Sequence, residues 1–268
     1  VSVHFDIGGR RFHYFSSGHG PVAVLVHGFP LDARLWLDQI EGLAPYRTVV
    51  AVDLRGCGRS DPVGSGPLSM ETHADDLAAI VAAVGVDAVD LVGLSMGGYV
   101  ALAFAQRHPE MLRTLALVDT KATADTDAAR AGRDAMAERV VVDGRRALAG
   151  EMVGALLSQG AALGVRARLR TMIEATSYET ILGCLAGMKL RADRTSVLAT
   201  IGVPTAVIVG EEDRLTTPED AHTMATGIPG ATLRVISGAG HLAPMEAPDS
   251  VNDVLAELWL SAGEATAR

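Results

Sequence analysis

The chain is poor in cysteine: Cys57 and Cys184 are the only two among 268 residues. Neither belongs to a Cys-x-x-Cys pair or to a Cys/His cluster with metal spacing, so a disulfide framework and a thiolate metal site are both excluded. A reducing cytoplasm fits such a chain best. Basic charge is also in deficit, with 23 Lys and Arg against 32 Asp and Glu and a formal net charge of −9. Neutralising phosphates takes a basic surface, so a nucleic-acid partner is not expected. Long apolar runs are missing too. The best of them, 22–26 and 97–105, fall far short of the roughly 18 residues a membrane span needs. The opening V-S-V-H-F-D-I-G-G-R-R lacks the basic-then-apolar order of a secretory signal. There is no internal repeat and no low-complexity tract.

What is present is a large apolar fraction, 49% of residues, in a chain long enough to bury roughly 70–75% of its unfolded surface without staples. Segments 1–6 and 11–16 are β-prone and flank Gly8-Gly9, which predicts an opening hairpin. Six runs then follow at 22–26, 48–52, 89–92, 114–118, 205–209 and 232–236. They are nearly unbroken Val, Leu, Ile and Ala, as strands buried on both faces require. Helical periodicity fills the gaps at 70–84, 96–107, 218–226 and 250–260, the last with Val251, Val254, Leu255 and Leu258 in step. Strands alternating with helices predict an α/β fold, a mostly parallel sheet with helices on both faces.

One stretch breaks the alternation. Segment 121–196 has no convincing strand and reads as several short helices. Its apolar residues, among them Met136, Leu148, Met152, Leu156, Leu157, Met172, Ile173, Ile181, Leu182 and Met188, either line a pocket or form a private helical core. The division expected is therefore a core at 1–120, a helical insert at 121–196 and the rest of the core at 197–268.

The sharpest chemical signal is Gly93-Leu94-Ser95-Met96-Gly97-Gly98, directly after an apolar strand and directly before a helix. That is the setting of a nucleophile elbow, where glycines two residues either side of Ser95 permit a turn tight enough to lift Oγ off the sheet edge. The following helix aims its N-terminus at the same point, so the Met96 N–H is a candidate oxyanion donor. A serine hydroxyl needs a base within hydrogen-bond reach and an acid to orient that base. His241 in Gly238-Ala239-Gly240-His241 and Asp213 in Gly210-Glu211-Glu212-Asp213 each follow a predicted strand, and so emerge at the same sheet edge. The order Ser, Asp, His agrees with a nucleophile–acid–base set. In His27-Gly28-Phe29-Pro30 the Phe29 N–H is the candidate second oxyanion donor, since Pro30 has none. His27 reads as support for the backbone. His73, His108 and His222 read as structural.

These blocks, together with Asp53-Leu54-Arg55-Gly56-Cys57-Gly58-Arg59-Ser60, resemble the α/β-hydrolase superfamily over essentially the whole chain outside 121–196. The resemblance implies Ser95 as nucleophile, His241 as general base and then acid, Asp213 as the orienting carboxylate, and the Phe29 and Met96 amides as oxyanion hole. It implies that 121–196 is a lid inserted after the sixth strand. It makes the 53–60 block a structural turn held by Asp53 and Arg55, with Cys57 outside the chemistry. Some relatives carry the acid after the strand 114–118, where Asp119 stands, and Glu212 is a further alternative.

Serine rather than aspartate at the elbow disfavours alkyl-enzyme chemistry. The expected activity is therefore hydrolysis of a small carboxylic ester or lactone, with no metal or organic cofactor. The elbow and insert look most like carboxylesterases and enol-lactonases. C–C bond hydrolysis and cofactor-free peroxyacid formation are alternatives on the same residues, and a small-molecule receptor is a third class. Homo-oligomerisation stays open. The basic residues of the insert, Arg145, Arg146, Arg166, Arg168, Arg170, Lys189, Arg191 and Arg194, read as solvated helix faces rather than as partners for a substrate carboxylate.

Overall fold

A computed structural model describes residues 2–266. The opening hairpin pairs β1 (Ser2–Ile7) with β2 (Arg10–Ser17), and Val1 of the expected first strand lies outside the described residues. The chain continues through β3 (Val22–Val26), α1 (Leu37–Leu43), β4 (Thr48–Val52), α2 (Met70–Val84), β5 (Val89–Leu94), α3 (Met96–Arg107) and β6 (Leu112–Val118). Four helices then interrupt the alternation: α4 (Asp127–Asp143), α5 (Arg145–Leu156), α6 (Leu163–Ala175) and α7 (Tyr178–Leu190). After α8 (Thr195–Leu198) the sheet resumes with β7 (Thr205–Gly210), α9 (Pro218–Gly227) and β8 (Thr232–Ile236), and α10 (Ala243–Glu246) and α11 (Pro248–Thr266) close the fold.

The strands form one sheet in the order β1-β2-β4-β3-β5-β6-β7-β8. β2 pairs antiparallel with β1 and β4, and every later neighbour is parallel. Helices α1, α10 and α11 pack together on one side, while α2, α3, α8 and α9 make a chain of contacts on the other. β3, β5 and β7 are buried along their whole length, as their unbroken apolar sequence requires. β8 departs from that expectation. Only Ile236 is buried in it, because β8 is the sheet's edge and has a neighbour on one side alone.

Local chemistry sets the helix ends. Ser69 accepts the Thr72 amide at the start of α2, Gly85 closes that helix with a left-handed φ of 82°, and Thr217 and Asp220 form a reciprocal cap on α9. The chain runs from β3 outward to β4, then crosses back over β3 to β5. The strand order therefore reverses at β3. In open α/β sheets the crevice at the carboxyl ends of the strands flanking such a reversal is where ligands bind, and the 27–30 loop and Ser95 emerge there.

The insert helices, 12 to 17 residues long, are longer than the short helices expected from sequence. Both readings of their apolar residues hold in part: Leu148, Met172, Ile173 and Ile181 are buried among the helices, while Met136, Met152, Leu156 and Met188 line a cavity. Hydrogen bonds fasten the insert to the sheet. The Thr176 hydroxyl donates to the Pro30 carbonyl at 2.8 Å, the Thr180 hydroxyl to the Gly56 carbonyl at 2.6 Å, and the Leu68 amide to the Gly183 carbonyl at 2.9 Å.

Candidate active site

Ser95 sits between β5 and α3 with φ 54° and ψ −113°, a backbone conformation that a side-chain-bearing residue holds only under constraint from its surroundings. The constraint is steric. A Cβ on Gly93 would collide with the Gly97 carbonyl, and one on Gly97 would collide with the Val26 and His27 carbonyls. The chain can therefore turn this sharply only with glycine on either side of Ser95. The Ser95 amide donates to the Val118 carbonyl at 2.9 Å and the Thr120 hydroxyl to the Ser95 carbonyl at 2.8 Å, so the end of β6 clamps the elbow.

The Ser95 hydroxyl is 2.8 Å from His241 Nε2, and His241 Nδ1 is 2.8 Å from Asp213 Oδ2. The three side chains thus form one continuous hydrogen-bonded line drawn from the ends of β5, β7 and β8. Asp213 receives three further bonds: from the Thr216 hydroxyl at 2.7 Å and from the Leu215 and Thr216 amides at 2.8 and 3.1 Å. Burial opposes its charge, but the hydrogen bonds from His241, the Thr216 hydroxyl and the Leu215 amide outweigh it and hold the carboxyl below the usual aspartate range. Thr216 was not singled out in the sequence. Only its place three residues after Asp213, ahead of a helix, hints at it.

The 27–30 loop passes close to Ser95 because Gly28 has no side chain; a Cβ there would lie 2.8 Å from Leu94 Cδ2 and 3.1 Å from Ser95 Cβ. Neither the Phe29 nor the Met96 amide donates to an acceptor among the described residues. His27 is fully buried, donating from Nδ1 to the Gly28 carbonyl at 2.9 Å and accepting the Leu54 amide on Nε2 at 3.1 Å, so its ring supports backbone.

Asp119 stands apart from this line. Its oxygens accept the Gly210 amide at 2.8 Å and the Ala243 amide at 3.1 Å, bracing β6 against β7 and α10. Burial, with the nearby Asp213 charge, pushes its carboxyl well above the ordinary range. Glu212 is exposed. In the 53–60 block, Asp53 accepts from Ala33 and Arg59 amides and pairs with His13 at 2.7 Å, and Arg55 pairs with Asp76. The block is a buttress, with the Cys57 thiol buried inside it.

The insert reaches the site directly. The His241 amide donates to the Leu156 carbonyl at 2.8 Å, and Glu246 accepts the Gly240 amide on one oxygen and the Ser158 amide on the other, both at 2.9 Å. A cavity of about 210 Å³ opens over Ser95 and His241, with Phe29 and Tyr99 among its walls. Its lining also includes Lys121, Asp125 and Arg133. The solvated-face reading of the insert's arginines needs correcting here. Arg191 and Arg194 are 4% and 3% exposed, Arg191 pairing with Asp125 at 2.6 Å and Arg194 with Glu71. Arg145 and Arg166 are spent on main-chain carbonyls. These arginines hold main-chain carbonyls and two carboxylates, Asp125 buried and Glu71 partly exposed.

Residues 21–248 match the family model for the alpha/beta hydrolase fold. The chain belongs to the α/β-hydrolase family. The hydrolase is 36% identical to a thermophilic esterase from Thermogutta terrifontis solved with malate bound, with a TM-score of 0.92 over 98% of this chain and 99% of that one. It is 32% identical over 252 residues to a pimeloyl-[acyl-carrier protein] methyl ester esterase of Xanthomonas campestris pv. campestris, covering 89% of this chain and 94% of the relative. An enol-lactonase from Burkholderia xenovorans LB400 shares the fold, with a TM-score of 0.86 at 24% identity over 96% of this chain and 99% of the other. Among the described residues no helix is long and apolar enough to cross a membrane.

Proposed function

We propose that this hydrolase cleaves small carboxylic esters or lactones through an acyl-enzyme on Ser95. The observation that carries the reading is the unbroken line from Ser95 Oγ through His241 to Asp213, with both contacts at 2.8 Å. Ser95 Oγ attacks the carbonyl carbon while His241 Nε2 takes its proton. The Phe29 and Met96 amides stabilise the oxyanion, and Asp213 holds the Nδ1 proton and the imidazolium charge. Collapse of the tetrahedral species breaks the carbon–oxygen bond, and the leaving alkoxide takes the proton from His241. Water, deprotonated by His241, then releases the acyl group and restores Ser95.

A cavity of about 210 Å³ is below the roughly 300–1,000 Å³ common for ligand pockets, which favours a compact acyl group. The esterase relatives support ester chemistry. On this reading 121–196 is a lid carried by the core segments 1–120 and 197–268, and the apolar residues of α4, α5 and α7 cover the acyl chain. The experiment is turnover of para-nitrophenyl esters from acetate to decanoate and of a set of lactones, with organophosphonate labelling read by peptide mapping. Labelling at Ser95 alone and a loss of about 10⁶ in kcat on Ser95→Ala are expected. Labelling at another residue, or turnover that survives Ser95→Ala, would overturn the assignment.

A further inference from the structure

The chain has two lysines, Lys121 and Lys189. Lys189 lies on α7 and pairs with Asp134 at 2.6 Å. Lys121 has no such partner among the described residues, although it is half-buried in the wall of the cavity that also holds Ser95, Phe29 and His241. It contrasts with the other cations of this region: Arg133, Arg168, Arg191 and Arg194 each hold a carboxylate.

Asp125, the acid that shares the cavity wall, is already engaged. Arg133 binds both of its oxygens and Arg191 binds one at 2.6 Å, with the Arg191 guanidinium stacked 4.1 Å over the Tyr99 ring. That carboxylate is thus shared by two guanidiniums, and the ammonium of Lys121 adds a positive charge that makes no ion pair among the described residues. A protein of net charge −9 has kept a positive wall inside its substrate cavity. Within low-dielectric walls such a charge concentrates anions.

Placement makes the charge selective. Thr120 hydrogen-bonds the Ser95 carbonyl at 2.8 Å, so the backbone of Lys121 is fixed one residue away from the clamp on the elbow. Met136, Met152, Leu156 and Met188 supply the apolar lining of the same cavity. A reacting carbonyl at Ser95, a short methylene chain against the methionines and an anion at Lys121 use all three surfaces.

We infer that Lys121 recognises a carboxylate at the far end of the acyl group, so that the preferred substrates are small esters or lactones bearing a second, ionised carboxyl group. The inference rests on the proposed ester chemistry for the identity of the substrate, and its binding half can be tested without turnover.

The kinetic experiment compares kcat/KM for mono-para-nitrophenyl glutarate with that for para-nitrophenyl valerate. The expected result is a preference for the half-ester that falls about tenfold or more in Lys121→Met, falls with added salt and is largely kept in Lys121→Arg. Lys189→Met should leave the preference as it is. Equal loss on both esters in Lys121→Met, or no preference in the parent enzyme, would overturn the inference. The binding experiment uses Ser95→Ala protein and an amine-acylating reagent, with the two lysines followed by mass spectrometry. Glutarate should protect Lys121 and leave Lys189 reactive; equal reactivity of Lys121 with and without glutarate overturns the inference. Protection of Lys121 in a protein that cleaves no ester would instead uphold the anion site and reject the proposed reaction.

Discussion

The two sides of the cavity are built by different forces. On the sheet side, Ser95, Phe29 and Met96 are positioned by backbone: glycines remove the side chains that would block the turn, and buried parallel strands fix where each loop begins. On the insert side the polar groups are side chains held by ion pairs, Asp125 with Arg133 and Arg191, beside Lys121, which makes no ion pair among the described residues. Steric exclusion admits almost no variation, so it suits the fixed geometry of bond making. Charge pairing between helices tolerates exchange, so it suits selection of what enters. The comparison predicts that substitutions on the sheet side strike kcat, while those on the insert side strike stability and substrate preference.

The largest effect separates Asp213 from Asp119. Asp213→Asn places an amide where the imidazole needs a carboxylate, and the expected loss is about 10⁴ in kcat with the fold intact. Asp119→Asn should reduce kcat less than about tenfold. It should instead lower stability by about 1–3 kcal/mol, because its amide group must face one of the two backbone N–H donors that Asp119 now accepts. Steady-state kinetics and urea unfolding on both variants give the answer. A reversed pattern would make Asp119 the residue that orients His241.

This contrast explains what could be read from the sequence. Strands β3, β4 and β8 fall where the apolar runs place them, although β8 proves to be an exposed edge, and α2 and α3 begin and end as their periodicity predicts, because local sequence suffices to mark a strand or a capped helix. Ser95, Asp213 and His241 were legible as candidates because each lies in the turn or loop just beyond a strand. Thr216 was not, since one more threonine in a loop carries no pattern. Nor was the grouping of Asp125 with Arg133 and Arg191. Its members are brought together by helix packing, with no strand register to announce that residues 66 apart in the chain would touch. The same gap led to the reading of Arg191 and Arg194 as solvated.

A second prediction tests that buried ion cluster. Asp125→Asn leaves Arg133 and Arg191 without their counter-ion, the latter with a side chain only 2% exposed, and should destabilise the fold by about 3–5 kcal/mol at neutral pH. The effect has a defined pH dependence. Burial opposes the Asp125 charge, but the hydrogen bonds and charges of Arg133 and Arg191 prevail and keep its carboxyl below the ordinary aspartate range. In acid the unfolded chain therefore binds the proton more readily than the native protein. The stabilisation is complete above the unfolded value of about 4 and is lost as pH falls through the lower native one. Urea midpoints of parent and variant should converge toward pH 3, and a constant gap from pH 7 to pH 3 would assign the loss to packing.

The smallest effect belongs to the rim. Arg168 on α6 meets Asp38 on α1 at 2.6 Å, another contact between insert and core, but the two side chains are 29% and 38% exposed. Water and salt already screen such a pair, and ordering two side chains offsets part of the attraction, so Arg168→Met should cost about 1 kcal/mol or less. In a chain of this size that is a Tm shift of about 2–4 °C at most, shrinking further in molar salt. The buried anchors, among them the Thr176 hydroxyl on the Pro30 carbonyl, remain in place in this variant. A loss of several kcal/mol would mean that rim charge, rather than those anchors, fastens the insert over Ser95, and selectivity would then vary with ionic strength for neutral and anionic esters alike.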